Sequence, residues 1–280
     1  MPEHPAISVL IRTFNSEKPL ARLLAKLDLA EGDEVLVVDS ASQDATREIA
    51  AGLGARVVDA PLPFSYSKSL NAGFNVARNP LVLVLSSHVL PMVPDLLARM
   101  RTMAASFPSD VWAIYGPAGI SGRDDLGTKE PVVFGADQYA GKASIIGNAN
   151  TLYRMEAWHS LVFDESIRTD EDKTWARAAL ALGARLAYAP GAPVLNKSSY
   201  PLSYMFRKGQ SDARAVKADD APPMSLYQLG GALKKMAVRK LRGEIDWGNW
   251  IRYTAHIFGT FSGSRLPKDN TPRKDPNVRP

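Results

Sequence analysis

The sequence predicts an α/β protein with a mostly parallel central sheet and helices on both of its faces. Three observations predict it. Short β-rich runs recur at 7–11, 34–38, 56–58 and 81–85, the longer ones apolar almost throughout, as strands covered on both faces are. Helix-period segments separate them. The chain has 280 residues, 45% hydrophobic and 22% charged, enough to bury the core of one large domain or two intimate ones.

The elements follow in order. Ile7-Ser8-Val9-Leu10-Ile11 reads as the first strand, followed by the loop Arg12 to Ser16. Leu20, Leu23, Leu24 and Leu27 recur at helical spacing and form one apolar face. Glu34 to Val38 is a buried strand ending at Asp39, and Ser40 to Asp44 is a polar turn. The helix from Ala45 to Leu53 stops at Gly54, and Arg56 to Val58 is a third strand. Ser67 to Arg78 is a helix with Leu70, Phe74 and Ala77 inward, and Leu81 to Leu85 is a fourth strand. In such a β-α-β series, ligands bind outside the carboxyl ends of the strands. That rule selects Arg12–Ser16, Asp39–Asp44 and Ser86-Ser87-His88.

Beyond residue 90 the pattern is mixed. A helix carries Leu96, Leu97 and Met100, and Val111 to Tyr115 is a strand. Residues 116–150 read as loops with short strands. Glu171 to Leu182 is a helix ended by Gly183, and Arg185 to Tyr188 is a strand. Ala218 to Pro223 reads as a linker, and Leu226 to Leu241 as a helix with Leu229, Leu233, Met236, Ala237 and Leu241 on one side. The Pro-rich, charged residues 267–280 are expected to be disordered.

Composition removes several function classes. The chain contains no Cys, which excludes disulfides, thiolate metal sites and a Cys nucleophile. Its His residues, His4, His88, His159 and His256, include no helical metal pair. No Gly-x-Gly-x-x-Gly or Walker lysine loop follows the first strand, so dinucleotide and P-loop chemistry lack support. The start lacks a signal-peptide pattern and no apolar run is long enough to span a membrane. A cytoplasmic location, peripheral to the membrane at most, is the expectation. From Ser225 onward eleven Lys/Arg stand against four Asp/Glu, a surplus of +7 in a chain of net charge +5. The basic character is a property of the tail, so nucleic acid is not an expected partner.

Four motifs in sequence resemble the family 2 glycosyltransferases, inverting enzymes of the GT-A fold. They are Ile7 to Asn15; Val37-Val38-Asp39-Ser40-Ala41-Ser42-Gln43-Asp44-Ala45-Thr46; Phe64-Ser65-Tyr66 through Asn71-Ala72-Gly73; and Glu171-Asp172 before Trp175 and Arg177. The resemblance covers residues 7 to about 215. It implies a Rossmann-like GT-A domain over 1–220, with 1–95 as the nucleotide-sugar half and 96–220 as the acceptor half. A basic helical extension follows over 221–280. Two departures stand out. The usual Asp-x-Asp slot reads Ser86-Ser87-His88, as in a subset of the family that ends this slot with His, and a later His is replaced near Asn196-Lys197.

The resemblance also implies roles. Thr13, Asn15, Asp39, Lys68, Asn71 and Arg78 would serve the nucleotide and its phosphates, though Asp39 and Asp44 also suit a turn and an N-cap, and Asn71 suits a structural role. Ser86 and His88 would meet a metal or the diphosphate, and a strand-capping loop His is the blander alternative. The cofactor implied is a divalent cation, Mn or Mg, with the missing Asp-x-Asp weakening that site. Asp172 would be the general base with Glu171 beside it, although acids opening a helix also suit the macrodipole. Gly147-Asn148-Ala149-Asn150 resembles the segment that positions the acceptor. The implied partners are a nucleotide-sugar donor and a carbohydrate or lipid-linked acceptor, in glycan or polysaccharide synthesis. The mixed Leu/Met and Lys/Arg tail helix reads first as one packed on the catalytic domain by its apolar side; two further roles open to 225–260 are membrane contact and a homo-oligomer interface. The rivals are a non-catalytic nucleotide-sugar-binding module and a nucleotidyltransferase; the latter needs a Gly-rich basic loop that Arg12 to Lys18 does not supply.

Overall fold

The computed structural model describes residues 5–119, 130–138, 147–167, 170–196, 202–215, 223–242 and 247–265. Strands β1 (Ile7–Thr13), β2 (Glu34–Asp39), β3 (Arg56–Asp59) and β4 (Leu81–Ser86) alternate with helices α1 (Glu17–Leu24), α2 (Thr46–Gly52) and α3 (Tyr66–Val76). β5 (Val89–Pro91), α4 (Leu96–Ser106), β6 (Val111–Tyr115), β7 (Val132–Phe134), β8 (Asn150–Arg154) and α5 (Met155–Ser160) follow. Then come α6 (Glu171–Ala181), β9 (Arg185–Tyr188), β10 (Val194–Asn196), α7 (Leu202–Ala215), α8 (Leu226–Leu241) and α9 (Trp247–Gly263).

Eight strands form one sheet in the order β3-β2-β1-β4-β8-β6-β9-β7, and β10 pairs with β5 in a ribbon. The first four strands are mutually parallel, as are β6 and β9. β8 runs antiparallel between β4 and β6, and β7 antiparallel to β9. The expected mostly parallel α/β architecture is therefore present.

Strand alternation divides the core in two. Ile7, Val9 and Ile11 of β1 pack with Leu20, Leu23, Ala50 and Met100, on the face of α1, α2 and α4. Leu10 packs with Leu70, Phe74, Trp158 and Trp175, on the face of α3, α5 and α6. Gly73 belongs to this packing. A Cβ there would collide with the Leu10 side chain and press on Cγ2 of Val38, so only glycine lets α3 lie this close to the sheet. On the same face Phe74 stacks on Trp158, with ring centroids 5.2 Å apart.

The strand β8 is not legible in the sequence. Its Asn150 and Thr151 are completely buried and read as loop residues. Most of their polar groups find internal partners: Asn150 Nδ2 donates to the Ala192 carbonyl at 2.7 Å, and Thr151 Oγ1 to the Gly147 carbonyl at 2.7 Å, while Asn150 Oδ1 is buried without a hydrogen-bond partner among the described residues. Donor bonds of this kind let polar side chains occupy the sheet centre.

The chain divides into two compact units, residues 1–197 and 198–280. The division lies upstream of the expected boundary at 220, because α7 packs on α9 within the second unit. Small residues permit that contact. A Cβ at Gly209 would strike the His256 carbonyl, and one at Gly259 the Phe206 carbonyl. α8 begins with a capping box, in which Ser225 and Gln228 satisfy each other's backbone N–H groups. The 267–280 tail, and residues 218–222 of the expected linker, lie outside the described residues.

Candidate active site

The three loops selected by the carboxyl-edge rule sit together at the ends of β1, β2 and β4, but their side chains serve two separate groups. One lies on the α1/α2 face and is a hydrogen-bonded frame. Asp39 is buried, 1% exposed. It accepts from Thr13 Oγ1 at 3.0 Å, Ser42 Oγ at 2.5 Å, Ser42 N at 2.9 Å and Arg47 Nη1 at 3.2 Å. Asn15 N donates to Ser42 Oγ at 2.8 Å, and Asn15 Oδ1 accepts from Gln43 N at 2.8 Å. Ser16 N donates to Thr46 Oγ1 at 2.7 Å, and Asp44 accepts from Thr46 and from Glu17 N. The spacing Asp39, Ser42, Asp44, Thr46 thus ties the loop after β2 to the loop after β1.

Asn15, Ala41 and Asp170 have positive φ, at 44°, 62° and 58°. Such backbone is costly for residues other than glycine. All of the described non-glycine examples fall in the loops that surround this edge, the pattern expected of a functional site.

The second group lies on the α3/α6 face. Arg12, next to Thr13 on β1, points the other way because strand side chains alternate. Its guanidinium lies over the Tyr66 ring at 4.8 Å and donates to Glu171 Oε1 at 3.2 Å. Glu171 is buried and also accepts from Asn148 Nδ2 at 3.3 Å. Asp172 Oδ2 accepts from Asn148 N at 3.0 Å, and its Oδ1 from Lys173 N at 2.8 Å. Tyr153 Oη donates to Asn148 Oδ1 at 2.7 Å. Ser86 is the register partner of Arg12 on β4, and its N–H meets the Ala149 carbonyl at 3.5 Å. These contacts link β1, β4, the 147–150 turn and the start of α6 into one polar cluster.

Ionisation is displaced here. Burial, reinforced by the nearby Arg12 charge, lowers His88 to about 4, so its imidazole is neutral at pH 7. Burial first, and the neighbouring Glu171 charge second, raise Asp172 to about 6.

Not every expected residue belongs to this cluster. Asn71 is saturated internally. Its Nδ2 donates to the Phe163 carbonyl and Glu165, and its Oδ1 accepts from Trp158 Nε1 and Phe163 N. It anchors the 161–165 segment to α3 and is not a donor contact. Arg78 follows α3 at the amino edge of the sheet, where its N–H meets Glu34 at the start of β2. A strand length of roughly 20 Å separates it from the carboxyl edge. Lys68, in the first turn of α3, is half-buried at the correct edge. Arg177 is exposed and donates to Thr174, while Trp175 is core. Arg12, inside the selected first loop, and Tyr66, inside the third motif, are functional candidates to which the sequence assigns no role. A lone Arg after a strand carries no signal until α6 is brought against it. A separate depression of about 340 Å³ lies between α4 and the 189–192 turn, and includes none of these residues.

A mainly parallel sheet whose carboxyl edge meets an acid-bearing helix across a mixed second half is the GT-A arrangement. Residues 8–158 match the profile of Glycosyl transferase family 2, and the chain belongs to that family. It is 37% identical over 82 residues to an uncharacterized glycosyltransferase of Mycobacterium tuberculosis, covering 29% of this chain and 36% of that protein's length. Among solved structures it is similar to the mannosyltransferase PcManGT of Pyrobaculum calidifontis in complex with GDP-Man and Mn2+, with TM-score 0.62 and 17% identity over 94% of this chain and 88% of the other. S. aureus TarS 1–349 gives TM-score 0.59 and 19% identity, covering 92% and 90%. Glucosyl-3-phosphoglycerate synthase from Mycobacterium tuberculosis, in complex with Mn2+, UDP and glucosyl-3-phosphoglycerate, gives TM-score 0.58 and 17% identity, covering 76% and 78%. At these identities the structural likeness is one of fold.

Proposed function

We propose that the protein transfers a sugar from a nucleoside-diphosphate donor to an acceptor hydroxyl, inverting the anomeric carbon, with Asp172 as general base. The observation that carries this reading is the Asp172 carboxyl, raised to about 6 at the mouth of α6 beside a Glu171 held by Arg12. A base tuned toward neutrality suits deprotonation of a hydroxyl as it attacks. The acceptor oxygen bonds to the anomeric carbon, its proton passes to Asp172, and the sugar–phosphate bond breaks. The nucleoside diphosphate leaves with the bonding electrons from the opposite side, which is why the configuration inverts.

Arg12 holds Glu171, and through it the start of α6, so we assign it a positioning role. Asp39, Thr13 and Asn15 shape the nucleotide loop in this reading, and Lys68 faces the phosphates. His88 offers a neutral imidazole and Ser86 a hydroxyl. Among the described residues no three His, Asp or Glu side chains converge as a metal cage. That donor set fits a divalent cation, Mn more readily than Mg, held largely by the donor's own phosphate oxygens. When bound, such an ion offsets the charge that builds on the departing diphosphate. The GDP-Man and UDP complexes of the fold relatives support a nucleotide-sugar donor. The acceptor proposed is a carbohydrate or lipid-linked sugar in glycan or polysaccharide synthesis.

The test is a panel of UDP-, dTDP- and GDP-sugars with manganese. A donor is expected to raise the melting temperature and to support transfer. Asp172→Asn is expected to lower turnover about 10³-fold while keeping donor protection. Full turnover in that variant would refute the base assignment.

A further inference from the structure

We propose that the outward face of α8 docks on an anionic lipid surface. The helix is two-sided. Leu229 and Met236 turn inward, each 8% exposed. On the other side Leu226, Gly230, Lys234, Ala237 and Leu241 are all exposed and follow one another at helical spacing as a single stripe. Ala237 and Leu241 thus leave the inward side expected for them, because they stand well round the helix from Leu229 and Met236. Leu226, Tyr227 and Leu241 are 74%, 91% and 87% exposed. Three large apolar side chains so open on one 16-residue helix require a partner more than scattered surface leucines do.

Charge identifies the partner. Residues 223–242 contain five Lys/Arg and no acidic residue; of these, Lys234 stands on the exposed stripe itself and the adjacent Lys235 is likewise exposed. The whole unit 198–280 has fifteen Lys/Arg against seven Asp/Glu, which leaves residues 1–197 at −3 in a chain of net charge +5. A soluble polyanion would satisfy the lysines but offers nothing to Leu226, Tyr227 and Leu241. The headgroup region of an anionic bilayer satisfies both, taking the apolar side chains to the acyl boundary and the cations at the phosphates. No helix among the described residues is long and apolar enough to cross a membrane, so the contact is one of lying on the surface. Of the two further roles open to 225–260, this selects membrane contact over self-association. The inference stands apart from the transfer reaction.

The experiment is co-sedimentation of the full chain with vesicles of phosphatidylcholine, with and without about a quarter phosphatidylglycerol. Binding is expected only to the anionic vesicles and should be lost near 1 M salt, where screening is complete within about 3 Å. Lys234→Glu with Lys235→Glu should weaken it at least tenfold. Leu226→Ser with Tyr227→Ser and Leu241→Ser should weaken it with the charge intact. Both sets alter exposed positions, and circular dichroism checks that α8 persists. Asp172→Asn should bind vesicles as the unaltered chain does, which separates this result from failure of the proposed chemistry. Equal binding to both vesicles, no binding to either, or a dimer by light scattering that the serine set disrupts without any vesicle binding would overturn the proposal.

Discussion

The two sides of the carboxyl edge, one residue apart on β1, behave differently. On the Thr13 side Asp39 and Asp44 are each held by several donors. Asp39 alone accepts four hydrogen bonds, and the loops after β1 and β2 are laced together. On the Arg12 side, His88 and Asp172 are held away from their ordinary ionisation by burial. The first is an arrangement for holding shape; the second is where the proposed reaction would move its proton. Motif residues that look alike in sequence therefore separate into frame and chemistry only when strand alternation assigns them to faces.

The sharpest way to test this contrast is to damage the frame. Asp39→Ala removes the acceptor for Thr13, Ser42 and Arg47 in a buried position. It should lower unfolding free energy by about 3 kcal/mol, read from urea denaturation. Asp172→Asn should not share this loss. A destabilisation of equal size in both variants would erase the distinction.

A second test uses pH, and the two displaced groups act in opposite directions. The lowered folded-state value of His88, about 4 against 6.5, means that the unfolded chain takes up a proton first. Stability from this group is lost as pH falls from about 6.5 through about 4. Asp172 is raised to about 6 from 3.8, so its charged form burdens the fold above that range, and the burden lifts as pH falls through it. His88→Gln should therefore flatten the acid-side loss of melting temperature. Asp172→Asn should gain more at pH 7 than at pH 4. Parallel pH curves for both variants and the unaltered protein would count against displaced ionisation.

The smallest effect concerns backbone strain. Ala41 holds φ at 62° in the loop after β2, where glycine carries no Cβ penalty. Ala41→Gly should stabilise the protein by roughly 0.5–1 kcal/mol, measurable by thermal denaturation. A loss of stability would show that the Ala41 side chain contributes packing that outweighs its backbone strain.

Much of this was legible from sequence, for definable reasons. β1, β2 and β4 announce themselves because strands buried on both faces are apolar throughout, and α6 because Glu171 to Leu182 ends at Gly183. The Asp39 to Thr46 motif locates the frame correctly, since its chemistry is local. Contacts distant in sequence stayed hidden. Arg12 meets Glu171 across 159 residues, and nothing in either neighbourhood signals the pairing. The structural role that Asn71 suits is made by partners, Trp158, Phe163 and Glu165, that lie far along the chain, so the sequence could not name them. β8 hides behind its buried Asn150 and Thr151, and the sequence assigns no helix to 202–215 or 247–263, where Gly209 and Gly259 permit close packing.

The most direct measurement is a crystal structure with manganese and, in turn, UDP and GDP. One of the two nucleotides should lie along the carboxyl ends of β1 and β2, with its diphosphate reaching His88 and its open end facing Asp172. A nucleotide seated elsewhere, for instance in the depression beside α4, or a diphosphate turned away from both side chains, would contradict the account.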